Sequence, residues 1–187
     1  MSKETEALVQ EFENPQVEQT VEETPSTFTA IVRKLEKDYG KAKKCIVKNV
    51  NYEIKDSYTR VTFTIRNEVP GFVYDKDTDT WKMGNTNLIY ATTYALAGTL
   101  KENDDLAWLG NVVLTKPEVM NLLFSGAEIH VIQQSIAADE AYKNPFSKDA
   151  EEVSKDREWV VSHIVGIKLS QVGQRVYDKL MDKILDF

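Results

Sequence analysis

Six aromatic and basic residues in the first half of the chain have the side chains needed to hold a single strand of nucleic acid. They are Tyr58, Arg60, Arg66, Tyr74, Trp81 and Lys82. Aromatic rings stack on bases, which contributes about 1–3 kcal/mol per base, and basic side chains follow the phosphate backbone. We predict that the three aromatic residues stack and that the three basic residues contact phosphates. The same pattern also fits core aromatics and a solvated face of a sheet, and that alternative stays open.

The motifs typical of catalysis and metal binding are absent from the sequence. It contains no glycine-rich dinucleotide-binding loop, no Walker loop and no His-Glu-x-x-His zinc motif. The single cysteine, Cys45, cannot supply a zinc ligand set. His130 and His163 both fall in predicted strands, where a core or rim position is favoured over a catalytic one. We therefore expect no enzyme activity, no cofactor and no metal.

Asp75, Asp77 and Asp79 share the Asp-x-Asp-x-Asp spacing of a calcium-binding loop. Thr80 stands where that loop needs glycine, and Thr86 stands where it needs a bidentate glutamate. The flanking segments also have strand patterns instead of helical ones. Because aspartate favours turns, a solvated hairpin tip explains these residues better.

The negative charge of the chain is concentrated near its N-terminus. Residues 1–25 hold seven Glu and one Lys, a net charge of −6, whereas residues 26–187 hold 22 basic and 23 acidic residues, a net charge of −1. We interpret 1–25 as an acidic disordered arm that could compete with DNA for a groove. The nearly neutral remainder permits a basic groove, but it excludes a uniformly basic nucleic-acid binder of the histone type.

The sequence has none of the signals expected of a secreted or membrane-spanning chain. No segment approaches the roughly 20 apolar residues needed to cross a bilayer. The first residues lack the basic and apolar regions of a signal peptide. With one cysteine the chain cannot form an internal disulfide. We expect an intracellular protein with no membrane partner.

The candidate binding residues lie on segments with strand patterns. Residues 58–66 alternate apolar Val, Phe and Ile with Thr and Arg, which is the period of a half-buried strand. This strand is predicted to form a hairpin with Cys45–Lys55. Pro70 and Gly71 are predicted to interrupt the strand pattern, and a second hairpin is predicted around the polar residues 75–79.

Periodicity and capping signals predict the other elements. A helix is predicted from Thr27 to Gly40. Residues 88–100 fit a strand followed by a helix, although the hydrophobic period does not distinguish strand from helix there. The pattern of 115–118 is that of a capping box before a short helix. The remaining predictions are helices over 118–124 and 171–185, strands over 127–137 and 159–169, and a long loop over 139–157.

Five strands with helical segments between the third and the fourth predict a β-rich α+β fold. We expect an OB-fold-like five-stranded barrel with flanking helices. A β-sandwich with appended helices is the alternative. The predicted domain organisation is an acidic disordered arm over 1–25, a barrel domain over 26–170 and a C-terminal amphipathic helix over 171–187.

Several short segments resemble known single-stranded-DNA-binding proteins. The final Asp186 and Phe187 resemble the acidic tip with a terminal Phe through which many bacterial and phage proteins of this class recruit replication partners. Residues 95–100, 126–131 and 140–147 resemble phage and mobile-element proteins that are grouped with the OB-fold single-stranded-DNA binders.

The resemblance implies a non-enzymatic single-stranded-DNA-binding protein that serves replication or recombination of a phage or mobile element in the cytoplasm of a bacterial host. Its partners would be single-stranded DNA and replication proteins that bind Asp186 and Phe187, and a homo-oligomer is compatible with this role. The alternative function is a structural or assembly protein, such as a virion component.

Overall fold

The computed structural model describes residues 27–185, and the side chains of residues 27–183 within that range. The chain divides into two compact units, Met1–Arg33 and Lys34–Phe187. The described part of the first unit is the beginning of one helix. The predicted acidic arm, residues 1–25, lies outside the described residues, as do Asp186 and Phe187.

The described residues form five strands and five helices. The strands are β1 (Lys43–Ile54), β2 (Thr59–Asp75), β3 (Thr80–Thr92), β4 (Glu128–Ile136) and β5 (Trp159–Lys168). The helices are α1 (Thr27–Tyr39), α2 (Thr93–Lys101), α3 (Leu109–Thr115), α4 (Met120–Phe124) and α5 (Gln171–Leu185), and a short 3₁₀ turn covers Pro117–Val119. None of the helices in the described range is both long enough and apolar enough to span a bilayer.

The five strands form one antiparallel, curled sheet in the order β3-β2-β1-β4-β5. The first four residues of β1, Lys43–Ile46, pair with β4, and the rest of the strand pairs with β2. The register shifts between Val47 and Asn49, and such an irregularity bends a strand. The half-barrel with helices between β3 and β4 confirms the predicted β-rich α+β, OB-fold-like arrangement.

The alternating strand pattern of residues 58–66 places its apolar side chains in the core. Val61, Phe63 and Ile65 are fully buried, and the ring of Phe63 lies 6.4 Å from that of Phe124 in α4. Buried residues of helices α2, α3 and α4 belong to the same hydrophobic core as this face of the sheet. The hydroxyl of Thr99 in α2 donates a hydrogen bond of 2.6 Å to the carbonyl of Ile164 in β5, which ties the helical layer to the sheet.

The prediction that Pro70 and Gly71 interrupt the strand was wrong. Strand β2 continues through both residues to Asp75, and Pro70 lies opposite Asn85 in β3. The register shifts between Thr64 and Val69, just before the proline. A proline lacks the N–H that a ladder needs, so a place beside an irregular segment is one of the few that a strand offers it. The two predicted hairpins therefore share strand β2. The first, β1–β2, turns at residues 55–58 as predicted, and the second, β2–β3, has its tip at residues 76–79.

The predicted capping box at 115–118 was also wrong. Thr115 ends α3, a helix that the sequence pattern missed, and its hydroxyl donates to the carbonyl of Asn111 at 2.9 Å. This hydrogen bond uses the hydroxyl inside the preceding helix, so it does not cap the next one. The N-cap of α2 is clearer, because the Thr92 hydroxyl accepts from the Ala95 N–H at 3.0 Å. Residues 88–100 are thus a strand followed by a helix.

Candidate nucleic-acid interface

A groove of about 320 Å³ opens between the β2–β3 hairpin and the beginning of β5. Fourteen residues line it, and none of them is acidic. The lining includes four aromatic and two basic side chains, namely Phe72, Trp81, Tyr90, Trp159, Lys155 and Arg157.

The register of the β2–β3 hairpin builds the aromatic wall of the groove. Tyr74 lies opposite Trp81, and Phe72 lies opposite Met83. Residues that face each other across an antiparallel pair share one face, as do residues two apart on a strand. Phe72, Tyr74 and Trp81 therefore lie on the same face, and the rings of Tyr74 and Trp81 are 5.4 Å apart. Trp81 is 51% exposed, so it is not a core residue.

The end of the β4–β5 loop supplies the two cations. The guanidinium carbon of Arg157 lies 5.4 Å from the centre of the Phe72 ring and 5.7 Å from that of Trp81. The Nζ of Lys155 lies 4.1 Å from the centre of the Trp159 ring. Partial burial, together with the nearby positive charge of Arg157, lowers the pKa of Lys155.

Contacts along the β4–β5 loop fix the position of these cations. The ring of Tyr142 meets Trp159 edge-on at 5.4 Å, and the backbone of Tyr142 pairs with Val153. The Asp139 N–H donates to the carbonyl of Lys155 at 2.7 Å. Partial burial raises the pKa of Tyr142 to about 12, which keeps its hydroxyl protonated. The loop is thus held against β5 at the level of the groove.

His163 and His130 each form a hydrogen bond with a neighbouring polar side chain. His163 is buried in β5, its Nε2 lies 2.9 Å from Oε1 of Gln134, and burial lowers its pKa to about 4. The Nε2 of His130 lies 2.7 Å from a carboxylate oxygen of Glu128, and this hydrogen bond lowers the pKa of Glu128. Neither histidine lines the groove.

Of the six predicted binding residues, Trp81 lines the groove directly. Tyr74 packs beside it with its ring tilted by 58°, and its hydroxyl donates a hydrogen bond to the carboxylate of Asp79. Arg60 borders the groove, because its guanidinium lies 5.6 Å from the centre of the Tyr90 ring. Arg60 also bonds Glu53, and hydrogen bonds from Lys55 and Arg60 lower the pKa of Glu53.

The other three predicted residues do not line the groove. Lys82 follows Trp81 in β3 and so points to the opposite face, where its Nζ lies 2.9 Å from a carboxylate oxygen of Asp75. Tyr58 lies in the turn between β1 and β2, and Arg66 is exposed in the irregular part of β2. The predicted partner-binding residues, Asp186 and Phe187, lie outside the described range.

The three aspartates of the calcium-like spacing form the solvated tip of the β2–β3 hairpin. A carboxylate oxygen of Asp75 accepts from the N–H of Asp77 at 2.9 Å, and Asp79 adopts a positive φ of 54°. Both features belong to a tight turn. Within residues 27–185 no group of three or more His, Cys, Asp or Glu side chains could hold a metal ion.

Sequence reasoning missed the residues of the β4–β5 loop because the whole segment has a loop composition. A usable signal was present in Lys155, Arg157 and Trp159, which are two positions apart and lead into a strand. In extended backbone this spacing places three side chains on one face. Phe72 and Tyr90 were missed because their positions in the groove can be predicted only when the register of the β2–β3 hairpin is known.

Comparison of the chain with protein-family models, with curated proteins and with solved structures finds no significant match. The functional conclusion therefore depends on the geometry and composition of the groove.

Proposed function

We propose that this protein binds single-stranded DNA, without catalysis, in the groove between the β2–β3 hairpin and the start of β5. The observation that supports this function best is the lining of the groove, which combines four aromatic rings and two cations with no carboxylate. Single strands bind by stacking of bases on aromatics and by contact of phosphates with a positive groove. Trp81, Phe72 and Trp159 are the proposed stacking platform, and Lys155 and Arg157 are the proposed phosphate contacts.

The position of the groove on the fold supports the same function. In OB-folds the face of strands 2 and 3, together with the loop between strands 4 and 5, binds oligonucleotides and oligosaccharides. Here the groove uses β2, β3 and the end of the β4–β5 loop. Both ligand classes stack on aromatic rings, but two cations without a carboxylate favour a polyanion over a neutral sugar.

A binding surface for a structural or assembly role would be a flat apolar patch, whereas the groove is concave and contains cations. This difference favours nucleic acid as the ligand. The sequence resemblance supports the rest of the proposal, which is a replication or recombination accessory of a phage or mobile element in the bacterial cytoplasm. Replication proteins that bind Asp186 and Phe187 would be its partners.

Fluorescence anisotropy with a labelled oligothymidylate tests the function. We expect Trp81→Ala to weaken binding by about tenfold, because stacking contributes ~1–3 kcal/mol per base. Tyr94→Ala is the matched control, since Tyr94 is an exposed aromatic residue of α2 outside the groove. Two cations on phosphates predict a slope of about −1.4 for log K against log salt, at about −0.7 for each phosphate.

A melting curve accompanies each variant. Trp81→Ala should melt close to the wild type because half of the side chain is exposed, whereas truncation of a core aromatic costs about 3–5 kcal/mol. Absence of oligothymidylate binding to the wild type, even at low salt, would reject the proposed function.

A further inference from the structure

The aromatic rings of the groove are already covered by the protein's own cations. The guanidinium carbon of Arg157 lies 5.4 Å from the ring centre of Phe72 and 5.7 Å from that of Trp81, and Lys155 lies over the ring of Trp159. These are cation–π distances. A base that stacks on Trp81 or Trp159 from the groove would need the space that these side chains fill.

We propose that Lys155 and Arg157 cap the aromatic rings in the free protein, and that a single strand binds by exchange. Its phosphates take the two cations from the rings, and its bases stack in their place. This inference rests on the proposed function and adds to it a requirement, since the ligand must present phosphate and base together.

The exchange is favourable only for a ligand with both groups. A cation over an exposed ring is held weakly, whereas a charge-assisted hydrogen bond to a phosphate is among the stronger polar interactions. A nucleoside must displace the cation and offers it no acceptor. An inorganic phosphate binds the cation but leaves the ring uncovered. Each half of the ligand therefore prepares the site for the other.

Charge repulsion in the free groove adds to the tendency to rearrange. Lys155 and Arg157 repel each other, and the repulsion contributes to the lowered pKa of Lys155. Phosphate between the two cations would relieve this repulsion.

The consequence is thermodynamic coupling between phosphate and base. If phosphate raises the affinity for base by some factor, base must raise the affinity for phosphate by the same factor. Couplings between sites are typically about 5–150-fold, and we expect about tenfold here.

Tryptophan fluorescence measures this coupling directly. The chain has three tryptophans, and Trp108 packs on Tyr177 of α5, away from the groove. In a Trp108→Phe background the signal comes from Trp81 and Trp159. Thymidine is titrated with and without saturating pyrophosphate, with the ionic strength matched by sodium chloride. We expect pyrophosphate to tighten thymidine binding by about tenfold.

The variants Lys155→Gln and Arg157→Gln remove one cap each. Both should bind thymidine without pyrophosphate, and in both the coupling should fall toward one. Lys82→Gln is the matched control, because Lys82 lies on the other face of the hairpin and pairs with Asp75. It should keep the coupling of the wild type.

The outcomes separate the two proposals. A protein that binds oligothymidylate but shows no effect of pyrophosphate on thymidine binding would overturn the exchange and leave the proposed function standing. A wild type that binds no oligothymidylate would overturn both. The wild-type titration decides the exchange by itself if a glutamine variant is poorly folded, which circular dichroism would reveal.

Discussion

Lys82 and Arg157 carry the same charge, but their neighbours give them different roles. Lys82 is paired with Asp75, so a phosphate would have to compete with a carboxylate for it. Arg157 faces two aromatic rings and no acidic residue lines its groove, so a phosphate would meet no such competitor there. Availability to a ligand therefore depends on what already neutralises a cation, and the residue type alone does not determine it.

His163 gives a prediction about pH. Its pKa is about 4 in the folded protein and about 6.5 in a free histidine, because burial disfavours the charged imidazole. The unfolded chain therefore binds a proton first as the pH falls. The stability that the neutral imidazole of His163 contributes is fully present above about pH 6.5, and it is lost as the pH falls from about 6.5 to about 4. The loss approaches roughly 3 kcal/mol at the acidic end.

Denaturant unfolding of the wild type and of His163→Gln, repeated across this range, measures the effect. The variant cannot titrate at this position, so the difference in stability between the two proteins should shrink as the pH falls toward 4. The comparison cancels the carboxylates, which are the same in both. A difference that stays constant from pH 6.5 to 4 would mean that folding does not lower the pKa of His163.

At the scale of elements, helix α5 is docked through a glycine. A Cβ on Gly173 would overlap the backbone carbonyl oxygen of Leu123 in α4, and a backbone atom cannot move aside as a side chain can. Gly173→Ala should therefore push the helices apart and cost about 1–3 kcal/mol. Gly98 in α2 is the matched control, because a Cβ there meets nothing within 4 Å.

Thermal melting of the two variants should give shifts of opposite sign. Gly98→Ala should stabilise by about 0.5–1 kcal/mol, since alanine loses less conformational entropy in a helix. If Gly173→Ala melts at or above the wild-type temperature, the close contact between α4 and α5 is not needed for the fold.

The sequence predicted the elements whose signals are local. Alternation identified the buried face of β2, and the helical period identified α5. The sequence did not predict that β2 continues through Pro70, because the proline was interpreted as the end of a strand. The partner strand β3 continues opposite it. Local rules for proline do not include the tolerance that a neighbouring register shift provides.

The groove was less predictable than the fold, because residues far apart in sequence form it. Trp81 in β3 and Arg157 in the β4–β5 loop are close to each other only because the folded sheet is curled. The strand period sends the neighbours Trp81 and Lys82 to opposite faces, so alternation alone could have indicated that Lys82 does not line the same groove. The contribution of the loop required the three-dimensional structure.

At the scale of the whole molecule, charge is the property that concerns the proposed ligand. Residues 26–187 have a net charge of −1, and residues 1–25 add −6. Deleting residues 1–25 should therefore remove most of the net repulsion of a polyanion and tighten binding of oligothymidylate at low salt. The gain should diminish as salt rises, because the Debye length falls to ~8 Å at physiological ionic strength. Anisotropy titrations of the full and truncated chains at several salt concentrations measure both effects.

Equal affinities at low salt would show that the acidic residues do not affect the groove. A truncated chain that fails to fold would show that this segment belongs to the folded structure, and the prediction of a disordered arm would then be wrong.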